Sequence, residues 1–321
     1  MIPAEHPHLF IAAATHPGMK AKPNEDRYSI SSYRMESGNR TPVVLALLAD
    51  GIGGHRAGEV AADLAINHIR QYVEQNSSGE PVQVLKAALT HANQAILAHA
   101  KGNASLVGMG TTCVCAWVIG PQLYAVYVGD SRLYLLRGST FTCLTTDHTW
   151  IQEALANGLL TPDQIRGHPN AHIIRRFLGS TNVVNPDTRL RLSPEENDAQ
   201  AEANQGMLLA PGDRLLLCTD GLTDLVKDAE IHEVIRTRPL ESALTHLINI
   251  ANQRGGHDNI TILTLEVPQP PHMTRPLPPV KALPVAPPAR APRTALSWLM
   301  LFLVLLAILM TIGLLIYAYL N

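Results

Sequence analysis

The sequence predicts an α+β domain, antiparallel sheets packed together with helices outside, followed by one helix long enough to cross a membrane. Three features predict this. Apolar strand-like runs follow one another through short turns, helix-periodic segments come in pairs between strand groups, and the C-terminus is a long apolar run without charge. A parallel sheet would instead alternate strand and helix.

In chain order, the opening stretch MIPAEHPHLFIAAATHPG has no basic start and too short an apolar run for a secretion signal. Strands are expected at Val43–Ala49, Thr111–Ile119, Leu123–Val128, Arg132–Leu136, Arg214–Thr219 and Ile260–Glu266, all rich in β-branched or aliphatic residues. VIGPQLYAVYVGDSRLYLLRG reads as a meander. Helices are expected where Ala61, Leu64, Ala65, His68, Ile69 and Tyr72 share one face, and where Leu85, Ala88, Leu89, Ala92 and Ile96 do. A further helix, about Leu240–Arg254, ends at the Gly255–Gly256 pair.

Residues 1–266 thus form the folded domain, and residues 267–294 a linker. Ten prolines between Val267 and Thr294 favour extended polyproline II. From Ala295 to Leu320 there is no charged residue. A helix of this length reaches about 37 Å, enough for a hydrocarbon layer of roughly 30 Å. Trp298 at one end and Tyr317 and Tyr319 at the other suit the two interfaces. Lys281, Arg290 and Arg293 lie before the helix and no base lies after it, so the domain is expected on the cytoplasmic face of the cell membrane.

A net charge of -2 with no block of like charge offers no footprint for nucleic acid. The four cysteines, Cys113, Cys115, Cys143 and Cys218, lack C-x-x-C spacing and read as buried free thiols.

The chemistry lies in the acids. Asp50 ends the strand VVLALLA, Asp130 follows LYAVYVG, Asp220 follows RLLLCT, and Asp258 precedes NITILTL. Glu25 and Asp26, in PNEDRYSI, precede another extended stretch. Any one of them is an ordinary turn residue beside glycine. Together they make a hard-cation site, because Mg²⁺ and Mn²⁺ take carboxylate and water oxygens. Two such ions lower the pKa of a shared water, so that it can attack phosphorus near neutral pH. Nothing in the chain matches H-E-x-x-H, a Walker A loop, G-x-S-x-G or C-x5-R.

HPGMKAKPNED, ALLADGIGGHRAGEVAA, MGTT, VYVGDSRLYLLR, TTDHTW, LLLCTDGLTD and GGHDNITILTL, in this order, resemble the metal-dependent protein phosphatases of type 2C. The resemblance runs from about Thr15 to Leu265. It implies a four-layer α-β-β-α sandwich of two antiparallel sheets flanked by helices, with two Mn²⁺ or Mg²⁺ ions at one sheet edge. By motif, Asp50 would bridge both ions and the Gly51 carbonyl would bind one, while Asp220 and Asp258 hold the other. Glu25 or Asp26 would join directly or through water. Asp130 matches the position of a third, weaker ion in bacterial members, and Asp147 to about Gly179 resembles the mobile flap.

Two positions depart from the family. Its phosphate-gripping Arg is Ala21 here, between Lys20 and Lys22, either of which could substitute as a point charge. Its eukaryotic general-acid His is Ile52, so the expected proton donor to the leaving oxygen is a metal-bound water, with His55 an outside candidate. The expected function is hydrolysis of phosphoserine and phosphothreonine in proteins, with Ser/Thr kinases and their targets as partners. The alternative is an inactive, membrane-tethered phosphoprotein-binding module.

Overall fold

The computed structural model describes residues 1–36, 40–53, 57–161, 164, 168–170, 172–269, 303–306 and 308–312. The chain divides into two units, Met1–Pro270 and Pro271–Asn321. In the first, one sheet carries, in spatial order, β1 (Ile2–Pro3), β3 (Arg27–Arg34), β4 (Pro42–Ala49), β7 (Cys113–Ile119), β8 (Gln122–Val128) and β11 (Met207–Leu208). The other carries β10 (Thr140–Cys143), β9 (Arg132–Arg137), β12 (Arg214–Cys218), β13 (Ile260–Glu266) and β2 (Phe10–His16). A short ribbon pairs β5 (Gly51–Ile52) with β6 (Gly110–Thr111). All these pairings are antiparallel.

Strand alternation explains the layers. In β4, Val44, Ala46 and Leu48 join Leu133, Leu135, Leu215, Leu217, Leu263 and Leu265 of the other sheet in one apolar cluster. Val43, Leu45, Leu47 and Ala49 point the other way, onto helices α1 (Ala57–Gln75) and α2 (Pro81–Ala100). The second sheet turns Tyr134, Leu136, Leu216 and Ile262 onto α6 (Asp228–Thr237) and α7 (Leu240–Gln253). Because both faces of β4 are covered, its sequence is apolar at every position, a pattern that in an antiparallel sheet requires sandwiching between layers. The order of layers is helix, sheet, sheet, helix. Shorter helices α3 (Trp150–Ala156), α4 (Asp198–Ala203) and α5 (Asp220–Thr223) complete the unit.

The six expected strands and three expected helices are present, with ends shifted by at most a few residues. Four expectations change. The meander is not one sheet: β8 belongs to the first and β9 to the second, so the chain crosses between layers at Gly129–Ser131. Phe10–His16 is an edge strand paired with β13 along its whole length, in a stretch read only for its lack of a signal. On α1 the buried stripe runs through Ala62, Ile66 and Val73, so Leu64, His68 and Tyr72 sit half-buried at its margin. Of the four free thiols, Cys143 is only half-buried.

The expected linker lies outside the described residues beyond Gln269, and so does most of the expected membrane helix. Within it residues 303–306 and 308–312 are helical, and none of the large apolar side chains there is buried. Among the described residues no helix is long and apolar enough to cross a membrane.

Candidate metal centre

Register gathers the acids. Ala49, at the end of β4, stands opposite Arg27 at the start of β3, and Leu48 opposite Val114 at the start of β7. In the second sheet Cys218, ending β12, faces both Ile262 near the start of β13 and Arg132 at the start of β9. Asp26, Asp50, Asp130, Asp220 and Asp258 each adjoin one of these strand ends, so five segments deliver a carboxylate to one edge of the sandwich.

Hydroxyls and amides fix these groups. The Asp50 N–H donates to Thr112 Oγ1 at 3.1 Å, and its carbonyl accepts from Thr111 Oγ1 at 2.8 Å and the Thr112 N–H at 2.9 Å. Thr112 Oγ1 also meets Ser131 Oγ at 2.8 Å, tying the end of β4 to the Gly129–Ser131 crossing. Asp26 Oδ2 accepts from Thr261 Oγ1 at 2.6 Å and Thr219 Oγ1 at 3.1 Å. Asn259 clamps the first loop: its Oδ1 accepts from the Glu25 N–H at 2.7 Å, and its Nδ2 donates to the carbonyls of Pro17 at 3.1 Å and Pro23 at 3.2 Å. Lys20, Ala21 and Lys22 therefore lie on a loop stapled at both ends beside Asp258, and all three are exposed.

The crossing has its own support. Gly129 adopts φ +108°, and a Cβ there would lie 2.5 Å from the Thr112 Cβ. Its N–H donates to His148 Nδ1 at 3.0 Å, and its carbonyl accepts the His148 N–H at 2.9 Å. That bond leaves the ring proton on Nε2, which donates to Asp187 Oδ2 at 3.1 Å. Arg189 grips the same carboxylate. Burial alone would raise Asp187, but the bonds from His148 and Arg189 hold it below the usual carboxylate range. Arg132 makes a two-pronged pair with Asp147, Nε to Oδ1 at 3.0 Å and Nη2 to Oδ2 at 2.7 Å, fixing the start of the segment expected as a flap.

Electrostatics tests whether cations fit. Burial, with the charges of Asp220 and Asp258, pushes Asp26 up to about 7 despite its two hydroxyl bonds. Asp220 rises to about 6 through burial and the charges of Asp224 and Asp258. Asp50 and Asp130 are held well above the usual range, Asp50 by burial and then Asp26, Asp220, Asp130 and Asp258, Asp130 by burial and then Asp220 and Asp147. Among the described residues no Lys or Arg pairs with any of these four carboxylates or with Asp258. Asp26 Oδ1 and Asp130 Oδ1 are buried without a partner. Close-set buried anions with unused oxygens and no protein cation fit a site for divalent metal. Gly51 fits too, since a Cβ there would strike the Gly58 carbonyl and stand 2.8 Å from the Glu25 carbonyl.

Glu25 and Asp26 separate in role. Asp26 is inside the cluster, whereas burial raises Glu25 and the backbone N–H groups of Glu59 and Gly58, in the first turn of α1, oppose that rise. His55 lies outside the described residues. A cavity of about 230 Å³ adjoins the cluster, lined by Asp130, Asp147, Gln152, His172, Asp220 and Asp224 among others.

Sequence reasoning missed the residues that hold the acids. Thr111, Thr112, Asn259 and His148 stand inside MGTT, GGHDN and TTDHTW, so the signal was adjacency to the acids. Asp187 and Arg189 carry no signal, because only the fold brings them to His148.

The family model described as Protein phosphatase 2C matches residues 19–263. The serine/threonine protein phosphatase PstP of Mycobacterium tuberculosis is 36% identical over 223 residues, 70% of this chain but only 40% of that protein's length. The serine/threonine phosphatase stp of Listeria innocua is 32% identical over 257 residues, 77% of this chain and 96% of that one. The crystal structure of the M. tuberculosis phosphatase superposes with TM-score 0.68 at 32% identity, over 81% of this chain and 99% of that one. A second structure, the PstP catalytic domain in complex with 2 manganese ions, gives TM-score 0.65 at 33% identity, over 80% and 97%.

Proposed function

The chain belongs to the protein phosphatase 2C family, and from that premise we propose that it is a metal-dependent protein-serine/threonine phosphatase. The observation that carries the reading is the meeting of five carboxylates from five segments at one sandwich edge, with two buried oxygens unpartnered and, among the described residues, no Lys or Arg paired with them. When bound, two Mn²⁺ or Mg²⁺ ions supply an activated water and offset charge on the phosphoryl oxygens. Asp50, the Gly51 carbonyl, Asp220 and Asp258 would hold them, with Asp26 or Glu25 joining directly or through water, and Asp130 with Asp220 would serve a third.

The chain's own groups supply order. Thr219 and Thr261 aim Asp26, Thr111 and Thr112 hold the Asp50 backbone, and Asn259 keeps the first loop against Asp258. Lys20 and Lys22, exposed and without an ion pair among the described residues, attract the substrate phosphate in place of the arginine replaced by Ala21. Residues 1–270 should release phosphate from a phosphothreonine peptide with Mn²⁺, and EDTA or Asp50→Asn should stop it. Turnover that survives EDTA would overturn the mechanism. Phosphopeptide binding without turnover would favour the inactive binding module, to which Ala21 alone points.

Residues 295–320 anchor this unit in the cell membrane, with the catalytic side cytoplasmic, and its substrates are phosphoproteins such as membrane-associated Ser/Thr kinases and their targets. The charge-free run, its aromatic ends and the bases before it support this reading. Fractionation of cells carrying the full chain and a 1–270 truncation tests it. Equal recovery of both in the soluble fraction would refute the anchor.

A further inference from the structure

A second group of possible ligands stands beside the carboxylate cluster. One ligand atom each from His172, Asp220 and Asp224 lies within 4.8 Å of the others. His172 Nδ1 is 3.3 Å from Asp224 Oδ2. The two aspartates come from opposite ends of one turn, since the Asp224 N–H donates to the Asp220 carbonyl at 2.8 Å across α5. The histidine arrives from a different segment. That segment is held at Trp150 N–H to the Ile173 carbonyl, 2.9 Å, and Arg175 N–H to the His148 carbonyl, 2.7 Å.

A salt link between His172 and Asp224 accounts for that pair alone. It leaves Asp130, 7% exposed and lining the same cavity, with an unpartnered Oδ1. Asp220, beside Asp224 and Asp258, faces that same His172 as its opposing charge, and His257 Nε2 also stands 3.6 Å from Asp224 Oδ2. A cation among His172, Asp220 and Asp224 would satisfy those three, beside Asp130 in the same cavity. Its donor set differs from that of the neighbouring positions, where every candidate is an oxygen. Imidazole suits Co²⁺, Zn²⁺ and Fe²⁺, whereas Mg²⁺ and Ca²⁺ prefer oxygen.

We propose that His172 supplies a nitrogen ligand to the third cation position of this chain, so that this position alone selects imidazole-accepting divalent ions over Mg²⁺. The inference rests on the metal-dependent reading above and adds one residue and a metal preference to it. His172 is largely exposed, with 69% of its side chain open, so replacing it leaves the core intact.

The experiment uses the full chain in detergent, loaded with Co²⁺. A cobalt-bound imidazole shows an exchangeable N–H proton shifted far outside the usual ¹H NMR range, and an all-oxygen site shows none. The signal should appear as the weakest of the sites fills, and be absent from His172→Gln and from Asp130→Asn. The preference of that site for Co²⁺ over Mg²⁺ should fall about tenfold or more in His172→Gln, with the tighter sites unchanged. Should tight Co²⁺ bind and phosphopeptide turn over while the signal is missing, or persist in His172→Gln, the His172 assignment fails alone. Failure of any divalent ion to bind tightly would sink the metal-dependent reading with it.

Discussion

The floor of the site and its rim are built in opposite ways. On the floor, Asp26, Asp50 and Asp130 sit at strand ends: hydroxyls hold the Asp26 carboxylate and the Asp50 backbone, and the His148 ring holds Gly129 beside Asp130. On the rim, Lys20 and Lys22 are exposed, with no ion pair among the described residues, and His172 stands against Asp224 and Asp220. Rigid bracing keeps like charges close despite their repulsion, which a cation site requires. Rim residues face solvent, and the chain can vary them, as at Ala21, without disturbing the layers. Replacements on the floor should therefore cost more than replacements on the rim.

Asp50→Asn is the severest test. It should abolish Mn²⁺-dependent turnover, yet the metal-free variant should unfold at a higher temperature than the parent, because burying an ionisable group among other acids, charged or forced to take up a proton, no longer opposes folding. A gain of about 1 kcal/mol corresponds to roughly 2–4 °C in a domain of this size. A lower melting point for the metal-free variant would contradict the electrostatic account of the floor.

Next comes Asn259→Ala, which frees the first loop from Asp258. Loss of a supporting bond of this kind typically costs about 10–100-fold in activity or metal affinity. Steady-state kinetics and Mn²⁺ titration would measure it, and an effect under threefold would move Asn259 out of the floor.

The pH dependence of the metal-free protein gives a third measure. A carboxyl whose pKa is raised on folding binds its proton more tightly when folded, so its contribution is present at low pH and lost as pH rises. Asp26, at about 7, and Asp220, at about 6, place that loss between the ordinary carboxylate range near pH 4 and about pH 7. The melting temperature should fall from pH 5.5 to pH 7.5 without metal, and Mn²⁺ should flatten the slope. A metal-free curve that rises over this interval would break the comparison.

The smallest effect belongs to the rim. Lys20→Ala and Lys22→Ala should each raise KM for a phosphopeptide about 2–5-fold, the scale of an exposed charge contact, with kcat nearly unchanged. A large fall in kcat from either would make the rim part of the floor.

Much of this molecule was legible one-dimensionally. Strands such as Val43–Ala49 are apolar at every position because both faces are covered, and the acids that matter interrupt those runs at their ends. Phe10–His16 and Arg27–Arg34 escaped full recognition for the converse reason: at or near a sheet edge they keep exposed positions, so their patterns are weak. The crossing at Gly129 was hidden because a turn between strands has the same local chemistry whether the next strand stays in its sheet or leaves it.

By itself, then, the sequence determined the element types, the carboxylates at the strand ends and the charge-free C-terminal run, since these follow from local pattern and side-chain chemistry. Only the tertiary structure decided which hydroxyls brace which carboxylate, that Glu25 turns toward α1 while Asp26 enters the cluster, and that His172 stands beside Asp224. These are contacts between residues far apart in the chain, and no local pattern encodes the distance that folding closes.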